Sequence, residues 1–213
     1  MAINFTKLAQ AGGHAATLDF TKATEVGTAE RINFAKDNPD VNKLRVELYW
    51  ESDADGDVAA VLLGADKMAI PNGILYYDKK VLPGLVHSGD VQGDTDGDPS
   101  TPEETITIDL QALVAEADSV LFIASTYPAK DDVDQKAVPF GKLRDCRVLV
   151  INDDTNEVLY GYELDEDFST FTSVELCSFY RKDGQFRMTN MGEGVGKSAI
   201  ALNDIGKKYN ITS

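Results

Sequence analysis

The stretch Leu44-Arg45-Val46-Glu47-Leu48-Tyr49-Trp50 decides the fold. Leu44, Val46, Leu48 and Trp50 alternate with Arg45, Glu47 and Tyr49. A period of two places the apolar set on one face of a strand and the others on its rear. The pattern predicts a half-buried strand with an amphipathic rear face. This strand runs directly into Asp53-Ala54-Asp55-Gly56-Asp57, a loop with a carboxylate at every second position. After the loop, residues 58–63 form an unbroken apolar run, as expected of a strand covered on both faces.

Upstream, residues 17–21 read as a short strand. Residues 24–42 are polar and charged and end near Asn38-Pro39, which predicts an inserted or mobile loop. Downstream, strands are expected at 74–77, 81–86 (broken by Pro83-Gly84), 105–108, 120–124, 146–151 and 158–164. Residues 172–180 and 185–189 read as a hairpin turned by Asp183-Gly184. A helix is expected after Asp109 as N-cap, because Leu110, Leu113, Val114 and Ala117 recur at helical spacing. Gly192, Gly194 and Gly196 read as a flexible link to a last helix over 198–209, with Leu202, Ile205 and Tyr209 as its apolar stripe. About ten strands, two helices and no linker predict one all-β dominated domain over 1–213, a two-sheet β-sandwich with about two peripheral helices.

Charge is distributed unevenly. The chain carries a formal net charge of -16. Between Lys80 and Lys130 there is no lysine or arginine, and there are nine acids. Four of them belong to a second alternating loop, Asp90-Val91-Gln92-Gly93-Asp94-Thr95-Asp96-Gly97-Asp98. This balance argues against nucleic acid as a direct partner, since phosphate binding needs a basic footprint. It argues equally against stable anchoring on an anionic membrane. No apolar run reaches the length of a membrane span, and the first residues lack a signal peptide's apolar core, so the expected compartment is the cytoplasm. Cys146 and Cys177 fall in expected strands and read as reduced core thiols.

Two carboxylates about 4 Å apart repel by about 1 kcal/mol even in water-like surroundings. Loops that gather several of them either splay into solvent or hold a cation. Oxygen-rich, glycine-softened loops suit calcium, while magnesium keeps more of its waters and takes fewer carboxylates. No EF-hand register fits: counting from Asp53 puts Val58 at position 6, and counting from Asp94 puts Pro99 there. Ligands would therefore be pooled from separate loops, which predicts that the two loops lie close together. Zinc is disfavoured by two distant histidines, and His87 reads as a local hydrogen-bonding residue. Gly192 to Ser198 lacks phosphate-loop spacing, and no Ser/His/Asp set can be drawn.

Four stretches together resemble the tellurium-resistance or TerD-like stress proteins. They are Leu44 to Trp50 running through Asp55-Gly56-Asp57 into 58–63; Val86-His87-Ser88-Gly89-Asp90 with its acidic loop ending at Glu103-Glu104; residues 148–152 with Asp153-Asp154-Thr155; and Leu164-Asp165-Glu166-Asp167-Phe168-Ser169-Thr170 followed by Glu175-Leu176 and Phe179-Tyr180-Arg181. The resemblance extends over about residues 13–209. It implies a calcium-binding β-sandwich whose metal ligands are Asp55, Asp57, Asp90, Asp94, Asp96, Asp98 and one of Glu103 or Glu104. Val91 departs from the family's usual Asn, Pro99 to Pro102 lengthen the acidic loop, and residues 23–43 exceed the usual connection. The expectation is a cytosolic stress-response protein holding Ca2+, two ions, with no catalytic activity and with protein partners. The alternatives are a metal-dependent hydrolase or a calcium-controlled interaction module of a larger assembly.

Overall fold

The computed structural model describes residues 3–51, 56–89, 100–102, 104–127, 138–164, 168–197 and 201–211. In chain order the elements are α1 (Phe5–Ala9), β1 (Thr24–Glu25), β2 (Arg31–Ile32), α2 (Phe34–Asp37), β3 (Lys43–Glu51), β4 (Gly56–Leu63), β5 (Ala69–Leu75), β6 (Val81–Leu82), β7 (Leu85–His87), β8 (Glu104–Asp109), β9 (Ser119–Thr126), β10 (Arg144–Asn152), β11 (Glu157–Glu163), β12 (Ser173–Lys182), β13 (Gln185–Gly196) and α3 (Ala201–Tyr209). They form two sheets, ordered β1-β11-β10-β3-β8-β7-β6 and β2-β13-β12-β9-β4-β5. This is the expected all-β sandwich.

The alternation in β3 is what packs the sheets together. Leu44, Val46, Leu48 and Trp50 face the core, where they meet Val58, Ala60 and Leu62 of β4 and Val120 and Phe122 of β9. Each such side chain contributes about 1.5–3 kcal/mol when fully buried. Trp50 lies so close to Gly56 that a β-carbon there would sit 1.7 Å from the indole. Gly56 therefore serves the close approach of a ring, where the sequence suggested loop pliability. The continuous run 58–63 is covered on both faces, as predicted. Its other side, Val61 and Leu63, packs with Leu121 and Ile123 beneath Ile205 and Tyr209 of α3. The side chain of Leu202 lies outside the described residues.

Several expectations are corrected. The rear face of β3 is not half exposed: Tyr49 packs under Ile3, Leu8 and Leu18 of the N-terminal segment, and Glu47 is fully buried. Residues 17–21 form no strand, but a 3-10 turn (His14–Thr17) and a single bridge from Asp19 to Glu157. Residues 24–42 are a strap rather than a mobile loop. β1 pairs with β11 in one sheet and β2 with β13 in the other, and Phe34 between them is buried edge-on against Phe179 at 5.3 Å. Residues 110–117 are turns, not a helix. Asp109 does cap, accepting from the amides of Gln111 (3.0 Å) and Ala112 (3.2 Å), and Leu110, Leu113 and Ala117 are buried. However, the amides at either end bond elsewhere, Leu110 to the Asn42 carbonyl and Asp118 to that of Leu63, so the segment crosses between sheets.

Gly192, Gly194 and Gly196 belong to β13, where Gly194 and Gly196 pair with β12, instead of linking to α3. The hairpin is as predicted: Asp183 and Gly184 have φ of 53° and 75°, the left-handed pair a tight hairpin turn requires. Cys146 and Cys177 are buried free thiols, and burial pushes both thiol pKa values up. No helix among the described residues is long and apolar enough to cross a membrane.

Candidate functional site

β4 reaches further toward one tip of the sandwich than its neighbour β5. The last β4 residue paired on that side is Ala60, opposite Leu75. Val58 lies beyond it, and a buried backbone amide or carbonyl left unpaired is costly. Two side chains of the opposite sheet satisfy both groups. Glu104 Oε2 accepts from the Val58 amide at 2.6 Å, and His87 Nε2 meets the Val58 carbonyl at 2.8 Å. His87 Nδ1 accepts from the Gly89 amide at 2.9 Å, which places the ring proton on Nε2 as donor. The same Nε2 stands 3.3 Å from Glu104 Oε2. His87 is thus the local hydrogen-bonding residue expected of it.

This joint ties together the described ends of the two acidic loops. Asp57 and Val58 leave the first loop, His87 and Gly89 lead into the second, and Glu104 follows it. Ser88 and Thr105 bond across the neck of the second loop, and the Ser100 carbonyl accepts from the Ala15 amide at 2.9 Å. Lys80 places its ammonium against Gly89.

Of the candidate ligands, Asp57 and Glu104 are described. Asp55, Asp90, Asp94, Asp96, Asp98 and Glu103 lie outside the described residues. Asp57 is half-buried in β4 opposite Ser125. Glu104 is 2% exposed and shares the inward face of β8 with Ile106 and Ile108. Burial raises its pKa above the ordinary carboxylate value, although His87 and the Val58 amide pull it back. Its carboxyl also adjoins that of Asp57. Among the described residues no hydrogen-bond donor reaches Glu104 Oε1, which is buried. Among them, too, no three His, Cys, Asp or Glu side chains form a cluster able to hold a metal.

Two further buried carboxylates escaped the sequence reading. Glu47 Oε1 takes bonds from His14 (2.9 Å) and Arg45 (2.6 Å), and its Oε2 takes one from the Tyr49 hydroxyl. Glu175, on the other sheet, is held by Tyr209 and by Lys208 at 2.5 Å, both from α3. Neither position carries a sequence signal, because each is covered by a segment distant in the chain.

Fold and tip together define a two-sheet sandwich that knots the ends of two acidic loops around a buried glutamate. The chain belongs to the TerD-domain family, whose model matches residues 23–209. It is 31% identical over 191 residues to general stress protein 16U of Bacillus subtilis, covering 83% of this chain and 94% of that protein. It is 26% identical over 192 residues to tellurium resistance protein TerD of Serratia marcescens, covering 85% and 94%. The crystal structure of a telluride resistance protein (TerD) homologue from Streptomyces coelicolor A3(2) superposes with a TM-score of 0.58 at 17% identity, covering 77% of this chain and 95% of that one. The family is thus one of stress and resistance proteins, and the fold is shared.

Proposed function

We propose that this chain is a cytoplasmic calcium-binding stress-response protein that works without catalysis, as a scaffold. One observation carries the reading: Glu104 keeps a buried oxygen without a donor among the described residues, beside the carboxyl of Asp57. Two adjoining carboxylates, one buried and one half-buried, call for a proton or a cation between them. An oxygen-only donor set suits a hard ion. Asp57 and Glu104 would hold it, with Asp55, Asp90, Asp94, Asp96, Asp98 and Glu103 as the further ligands, and two ions in all. The ion would supply positive charge and a crosslink between the loops, which would then present a fixed surface to protein partners. The stress and tellurium-resistance names of the relatives support the physiological setting. No observation favours the hydrolase alternative.

The test is calorimetric titration of calcium into chelator-treated protein, with thermal melting alongside. Saturable binding and a raised melting temperature are expected, with a smaller rise for magnesium, and Glu104→Gln should weaken both. Failure of the unaltered protein to respond to either ion would overturn the reading.

A further inference from the structure

Among the described residues, the exposed large apolar side chains are Met68, Tyr77, Val81 and Val86. All four come from the segment that builds β5, β6 and β7. Val81 and Val86 are 67% and 50% exposed, and they are cross-strand partners, so this hairpin keeps a two-valine face in water. β5 and β6 end their respective sheets on the same side of the sandwich.

A groove of about 920 Å³ opens between β5 and the end of α3. Ile70, Ile74, Tyr76 and Ile211 give it apolar walls, and Tyr76 packs edge-on against the exposed Tyr77 at 5.4 Å. Its charged lining residues, among those described, are Lys79 and Lys207, with no acid. That is unusual in a chain with 36 acids and 20 basic residues. Asn72, Asn203 and Asn210 add amides to the rim.

Strand addition to β5 is blocked. Pro71 lacks an amide hydrogen, Asn72 has a φ of 58°, and the pairing with β4 is irregular there. Lys79 Nζ also donates to the Asn72 carbonyl at 2.7 Å. Recognition at β5 must run through side chains.

We propose that the groove docks a segment of another protein that carries carboxylates beside an apolar anchor. The anchor fills the isoleucine-walled groove, and the carboxylates meet Lys79 and Lys207. Charge complementarity selects this occupant, because the acid-rich remainder of the surface repels such a segment and leaves this face as its landing place. The inference does not depend on calcium at the tip.

The test is an NMR titration of the 15N-labelled full chain with a synthetic peptide alternating Glu and Leu around one Phe, and with its counterpart carrying Lys for Glu. Saturable shifts centred on Asn72, Tyr76, Lys79 and Lys207 are expected with the acidic peptide alone, equally in calcium and in chelator. The Lys79→Glu/Lys207→Glu pair should weaken binding at least about tenfold, since like charges face each other across the contact. Lys79→Gln, a milder change, should weaken it less. No shifts, equal shifts with the lysine peptide, shifts centred elsewhere, or unchanged binding in the reversed variant would each overturn the proposal. So would concentration-dependent shifts at these residues without peptide, which would assign the face to self-association.

Discussion

Glu47 and Glu104 are the same residue type, buried to the same degree on adjacent strands. In the register of β3 against β8, Glu47 lies opposite Thr105 and Glu104 opposite Leu48, so the two carboxylates point from opposite faces of one sheet. Burial alone would raise both pKa values. At Glu47 the bonds from His14 and Tyr49 and the charge of Arg45 outweigh burial and hold the carboxyl below its ordinary value. At Glu104 burial wins. The difference is one of local completeness. Glu47 has a donor on each oxygen and staples the N-terminal segment to the sheet. Glu175 likewise staples α3 on the far side, with Lys208 and Tyr209 both on its Oε1. Glu104 staples the two sheets to each other through Val58 and still has an oxygen that no described donor reaches. A carboxylate completed by its own chain is structural, whereas one left incomplete beside another carboxylate is where a ligand gains most.

The largest effect should come from removing the completed one. Glu47→Ala leaves the buried Tyr49 hydroxyl without its acceptor and leaves Arg45 with Asp153 and Asn156 alone, and breaking a buried charge pair from one side costs up to about 3–5 kcal/mol. Urea unfolding measures this. Glu104→Gln in chelator should change stability by no more than about 1 kcal/mol, and equal losses would erase the contrast. Calcium gives the next largest effect. At 100 times its dissociation constant, an ion that binds the folded state alone adds about 2.7 kcal/mol. That gain should persist in Glu47→Gln and shrink in Glu104→Gln when melts with and without the ion are compared. Gly56→Ala ranks third. A methyl group there would run into the Trp50 indole, and overpacking of this kind costs about 1–3 kcal/mol. Because Asp57 is the next residue, calcium affinity should fall with it, which separates the placement of the tip from its charge.

How far the sequence foretold this contrast depends on where each partner lies. The inward set of β3 was legible because period two is a local property. The double burial of β4 was legible from its unbroken apolar run, and the joining of the loop ends follows from β3 and β7 both feeding acidic loops at one tip. The inward placement of Glu104 was also within reach, since it keeps step with Ile106 and Ile108. Glu47 could not be read, because its cover arrives from His14 and the apolar residues around it, with no periodic mark. The turns at 110–117 mislead for a related reason. A crossing segment buries Leu110, Leu113 and Ala117 at helical spacing, yet Asn42 and Leu63 claim its end amides.

The smallest effect is a pH dependence that should carry opposite signs at the two carboxylates. Glu47 sits below its ordinary value of 4.5 in the folded chain, so its stabilisation is present above that value and is lost as pH falls through the folded one. Glu104 sits above 4.5, so the folded state favours its proton. Its contribution is complete below 4.5 and is lost as pH rises through its raised value. Each pKa unit of difference is worth about 1.4 kcal/mol. In chelator, the stability difference between the unaltered chain and Glu104→Gln should therefore shift in favour of the unaltered chain as pH falls toward 4.5. The difference from Glu47→Gln should move the other way below it. Saturating calcium should flatten the upper window alone, because the ion and the proton compete for the same oxygens. If calcium instead flattened the lower window, the incomplete carboxylate would have been misassigned, and Glu47 would be the group that answers to the ion.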